Sequence, residues 1–96
     1  MLTKQSFLES EFIPPGSNRQ KNRDLQSINL WTLDEAFRFM DENQQMSEID
    51  ALGIFVKKMD NYACMARTER SKMMFSAAKA YAEYLLDCFI FEFKDM

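Results

Sequence analysis

Histidine is absent from the 96 residues, and that absence excludes more chemistry than any other. No Ser-His-Asp triad, no Cys-His pair and no imidazole metal ligand can be built without it. Glycine and proline number two each, which removes glycine-rich phosphate loops, turn-rich β architectures and low-complexity linkers. Cysteine also numbers two, Cys64 and Cys88, with no Cys-x-x-Cys pair. A zinc site would need further ligands of a type the chain lacks. Both thiols are therefore expected as small buried hydrophobes in a reducing compartment. No apolar run approaches the roughly 18 residues that span a bilayer. The opening Met1–Glu9 has no long apolar stretch and carries an early acid, unlike a signal peptide. These absences point to a cytoplasmic chain with no cofactor and no membrane partner.

What is present suits a folded domain. Apolar residues make up 47% and charged residues 28%, and nine phenylalanines supply bulk for a core. Ser6-Phe7-Leu8-Glu9 fits a capping box, but Pro14 and Pro15 leave room for only a turn or two of helix after it. Residues 13–28 then read as a loop, so residues 1–28 form an N-terminal arm and 29–96 a helical domain. Thr32-Leu33-Asp34-Glu35 fits a second capping box, with Trp31 placed to staple onto the first turn and Asp34–Arg38 as an i,i+4 pair. A helix over about 32–44 follows, with Leu33, Ala36, Phe37 and Met40 at helical spacing. A third start at Ser47 predicts a helix over about 47–60, with Ile49, Leu52, Val56 and Met59 as its stripe. Gly53 inside it suggests close helix packing. Asp60-Asn61 is the next plausible punctuation, since both residues cap well. A helix over about 61–93 follows from Met65, Met74, Ala77, Ala78, Tyr81, Leu85 and Cys88. The dense run 88–93 is compatible with a helix end or a short strand, and helix is favoured because nothing breaks the pattern before it. The fold class is all-α, a small bundle of three main helices with a short N-terminal helix or arm.

The last helix is apolar on more than one face, because Phe75, Ala82, Leu86, Phe89 and Phe93 run beside the first stripe. Such a helix is normally buried in the middle of something. A homodimer built on it is the default remedy. The alternatives are that the arm folds back over this surface, or that a different protein takes it. Tyr81, Tyr84, Phe89, Ile90, Phe91 and Phe93 are the candidate protein-interface residues.

Charge is distributed in blocks. Residues 32–50 hold one basic and six acidic groups, and residues 51–79 hold six basic and two acidic. Alternating blocks suit an acidic helix lying along a basic one. They also support a nucleic-acid reading, in which Arg67, Arg70, Lys72 and Lys79 form a basic helix face and Arg19, Lys21 and Arg23 a basic arm. A pI near 4.9 opposes that reading. Thr68-Glu69-Arg70-Ser71 leading into Ala77-Ala78-Lys79-Ala80-Tyr81-Ala82-Glu83-Tyr84-Leu85 is similar to a helix in the core-binding domains of tyrosine recombinases. The similarity covers under a quarter of the chain, and no function is carried over from it.

Glu83 and Asp87 share a helix face but read as solvated acids. The expected function is therefore non-catalytic: a small protein-interaction module acting as regulator, adaptor or inhibitor through an apolar helical face. Small size and a sticky face suit a phage or mobile-element gene product. The alternative is a nucleic-acid-binding regulator.

Overall fold

The computed structural model describes residues 2–9 and 22–95, with side chains from Leu25 to Lys94 in the second stretch. Four helices follow one another: α1 (Lys4–Leu8), α2 (Asn22–Glu42), α3 (Glu48–Met65) and α4 (Glu69–Asp95). Among the described residues there is no strand, so the all-α class holds and the run 88–93 is helical. The Cα radius of gyration is 13.4 Å, close to the roughly 13 Å of a folded domain of this length.

α2 begins ten residues before the expected start. Thr32 is no cap: it is fully buried in mid-helix. Its Oγ1 donates to the Ile28 carbonyl at 2.7 Å, the i−4 bond by which a hydroxyl survives inside a helix. Residues 22–28, read as loop, are therefore helical, and the expected boundary at 28 falls inside α2. Ile28, Thr32, Ala36 and Met40 line the inner side of α2 at four-residue steps, with Leu33 buried beside them. Trp31 staples nothing at a cap and instead meets Phe75 edge-on across the bundle, ring centres 6.4 Å apart. Asp34 pairs with Lys4 of α1, and Arg38 takes Glu35 at 3.2 Å rather than Asp34.

The α2–α3 turn closes through Asn43, whose amide donates to the Phe39 carbonyl at 2.8 Å. Ser47 caps α3 as expected, accepting from the Asp50 amide at 3.1 Å. Glu48 and Asp50 sit in the first turn, where the helix dipole favours acids. Ala51, Leu52, Phe55, Met59 and Ala63 form its buried side. Asp60-Asn61 does not interrupt it. α3 continues to Met65 and stops where Ala66 turns extended, at ψ 134°. Thr68 then opens α4, its Oγ1 accepting from the Ser71 amide at 3.1 Å. Asp60 is not needed as a cap because its carboxylate reaches across to Lys79 of α4 at 3.0 Å. Gly53 is not a close-packing point either, since a Cβ built there meets nothing within 4 Å.

Among the described helices, α3 and α4 share the largest contact. Asp60 opposite Lys79 and Tyr62 beside Phe75 set them antiparallel. α2 runs in the same sense as α4, with Trp31 near Phe75 and Phe37 near Phe89. The core lies along one side of α4, where Ala78, Tyr81, Ala82, Leu85 and Phe89 are buried. α1 closes one end. Its capping box is Thr3–Ser6, not Ser6–Glu9, because Ser6 occupies the third helical position and its Oγ accepts from the Thr3 amide at 3.3 Å. This five-residue helix inserts Phe7, 4% exposed, among Phe37, Tyr84 and Phe89 at ring-centre distances of 6.1–6.2 Å. The Leu2 amide donates to Glu92 at 3.0 Å, tying the start of the chain to its last helix.

Candidate protein-interaction surface

A helix turns about 100° per residue, so a ridge dense in sequence is spread around its axis. The expected interface divides accordingly. Phe89 belongs to the core, stacked on Phe7 and tilted against Phe37. Tyr81 is also core, and burial pushes its phenol up to about 12. Tyr84 is half-buried, with Phe7 against one edge of its ring. Ile90 is half-buried, whereas Phe91 is 69% and Phe93 66% exposed. Two residues apart, those phenylalanines point about 200° away from each other. Of the six predicted interface residues, the structure leaves Phe91 and Phe93 open, keeps Ile90 and Tyr84 at the edge, and withdraws Tyr81 and Phe89. Phe89 is withdrawn by Phe7 of α1 together with Phe37 of α2.

A second apolar surface, not anticipated from the sequence, lies toward the α3–α4 turn. Tyr62 of α3 and Trp31 of α2 flank Phe75 of α4, at centre distances of 5.3 and 6.4 Å, and both are partly open to solvent. Met65 and Met73 are exposed nearby in the chain. Trp31 and Phe75 recur at helical spacing with core residues of their own helices, so the signal existed. Their meeting needed the bundle.

The basic groups are only partly gathered. Arg67, Arg70 and Lys72 are all exposed around the start of α4. Arg70 and Lys72 straddle the helix, about 160° apart by its turn. Lys79 is not available to the face proposed for it. It binds Asp60 at 3.0 Å and lies 3.8 Å from Glu83. The Asp60 hydrogen bond and charge, with help from Glu83, hold its ammonium above the ordinary lysine range. This pair lies within one charge block, so the blocks do not act here by neutralising one another helix against helix. Arg19 and Lys21 lie outside the described residues, as does the side chain of Arg23.

Neither thiol is fully buried. Cys64 is exposed on α3, and Cys88 is half-buried and unbridged. Burial pushes the Cys88 thiol up, and the charge of Asp87 adds to this, although a Tyr84 hydrogen bond works the other way. Glu83 and Asp87 are exposed as read. Among the described residues no group of three or more His, Cys, Asp or Glu could hold a metal ion, and no helix is long and apolar enough to cross a membrane. No family model, no curated protein and no solved structure matches the chain.

Proposed function

We propose that this chain is a non-catalytic protein-interaction module, a small cytoplasmic regulator, adaptor or inhibitor that works by occlusion. A rigid helical face, the outward side of α4, covers or bridges a surface of its partner. One observation carries the reading: Phe91 is 69% exposed on a helix whose opposite side is fully packed. Burying a phenylalanine yields roughly 1.5–3 kcal/mol, so a partner that covers this one gains affinity at a point already held rigid. Ile90 and Phe93 lie one and two residues away on other sides of the helix, and a partner that wraps the helix end reaches both.

The test is association of the full chain with Phe91→Glu and Phe93→Glu variants. Self-association is read by sedimentation. Capture from lysate without nuclease is read by mass spectrometry and the ratio of absorbance at about 260 and 280 nm, which separates nucleic acid from protein. Loss of a stoichiometric protein contact in Phe91→Glu supports the module. An unchanged contact in both variants sinks it.

A second reading has one specific observation in its favour. Arg67, Arg70 and Lys72 are exposed around the start of α4, within eight residues in the chain of Phe75, which packs with Trp31 and Tyr62. Cations next to aromatic faces suit single-stranded nucleic acid, through phosphate contact and base stacking. Here Arg67→Glu with Arg70→Glu abolishes binding, and affinity falls steeply with salt. The net charge of −3 and the neutralised Lys79 favour the protein reading.

A further inference from the structure

The outward side of α4 carries a regular seam. Met73, Ala77, Ala80, Tyr84, Asp87 and Phe91 follow one another at steps of four, three, four, three and four residues. That is the spacing of a coiled-coil contact line, about 3.5 residues per turn. The buried residues Ala78, Tyr81, Ala82, Leu85 and Phe89 occupy the other side. Along the seam Met73 is 54% and Phe91 69% exposed, while Ala77, Ala80 and Tyr84 are half-buried. No described element of the chain packs over its two ends. Large exposed side chains thus stand at both ends of a stretch whose middle is small enough for another helix to come close.

We propose that a second copy of this chain occupies the seam, with the two α4 helices antiparallel. The proposal rests on the interaction reading above and names its partner. Antiparallel pairing about a two-fold axis near residue 82 sets Met73 against Phe91 of the second copy. It sets Tyr84 over Ala80, a large side chain into a small gap, and Asp87 over Ala77. Glu69 and Lys94, exposed on one flank of the seam at opposite ends of α4, come opposite each other twice. Arg70, on the other flank, faces the acidic end of the second α4. Parallel pairing would instead set Asp87 against Asp87 inside the seam and leave both helix dipoles aligned, which is unfavourable on both counts. The charges choose the direction, and the apolar ends supply the adhesion. Asp87, polar at a seam position, fixes the register as such residues do in coiled coils.

The experiment is sedimentation equilibrium of the full chain at low salt over a wide concentration range, with circular dichroism confirming that each variant is folded. The expected result is a dimer that weakens as salt rises. Phe91→Glu raises its dissociation constant about a hundredfold or more, since two phenylalanines leave the contact together. Glu69→Lys and Lys94→Glu each weaken it by about tenfold, because attraction becomes repulsion at two symmetric places. The two changes combined in one chain restore it, a rescue that only the antiparallel arrangement predicts. A dimer that the combined variant fails to restore overturns the seam. A monomer at every concentration, with Phe91-dependent capture of another protein intact, overturns the second copy and leaves the interaction reading standing. If Phe91→Glu changes neither dimer nor capture, both fall.

Discussion

The molecule has two aromatic clusters along α4, and they differ in what lies over them. At the C-terminal half Phe37, Tyr84 and Phe89 are roofed by Phe7 from a helix of five residues. At the N-terminal half Trp31, Tyr62 and Phe75 meet with no fourth ring above them among the described residues, and two of the three remain partly open. Both clusters join aromatic rings of α2 and α4, and the open one adds Tyr62 of α3. The difference is one side chain delivered from the far end of the sequence. Aromatic density therefore does not identify an interface; what identifies one is the aromatic surface left after the chain has covered what it can.

The sharpest way to break this contrast is to remove the roof. Phe7→Ala should cost about 3–5 kcal/mol in chemical denaturation, because it vacates a volume enclosed by three rings. A loss below about 1 kcal/mol would mean that α1 merely rests on the bundle. The next effect is alkaline. Tyr81 is buried and its phenol is pushed up to about 12 from 10.0. The neutral phenol is favoured in the folded state, so its contribution is complete below pH 10 and is lost as pH rises through 12. Lys79, raised above 10.5, loses its contribution in the same direction. For the Tyr81 phenol the fall should reach up to about 2 kcal/mol across that window, and Tyr81→Phe should remove it. Denaturation at stepped alkaline pH, with the phenolate followed by ultraviolet absorbance, checks both.

Smaller effects belong to the open cluster. Trp31→Ala should cost about 1 kcal/mol, well below Phe7→Ala, since much of the indole is already in water. Equal costs at Trp31 and Phe7 would erase the distinction between a roofed and an open cluster. Gly53→Ala should stabilise the chain by about 0.5–1 kcal/mol in thermal melting. It sits inside α3 with open space where the Cβ would go. A loss there would show that something outside the described residues packs on it.

Much of the fold was legible because helix signals are local. Ser47 with acids after it, the spacing of Ile49, Leu52, Val56 and Met59, and the unbroken run from Ala77 to Phe93 needed no tertiary knowledge. The errors were local signals with two physical meanings. Thr32 before an acidic pair looks like a cap, yet the same hydroxyl bonds backward when the helix already exists. Asp60-Asn61 looks like a break, yet an aspartate that finds a lysine on the next helix is content in mid-helix. Ser6 was a member of a capping box, but at its third position rather than its cap.

The candidate site was only half legible. The sequence alone established that no histidine chemistry exists, that the chain is helical, and that α4 is too apolar to stand alone. Those properties depend on residue types and their spacing. Only the tertiary structure decided that Phe89 and Tyr81 belong to the core while Phe91 and Phe93 face water, and that Lys79 is neutralised. Those outcomes depend on which surface arrives from elsewhere in the chain. Spacing places a side chain on a given side of its helix; whether that side is dry or wet is settled by what packs over it, and Phe7 reaches Phe89 from the opposite end of the sequence.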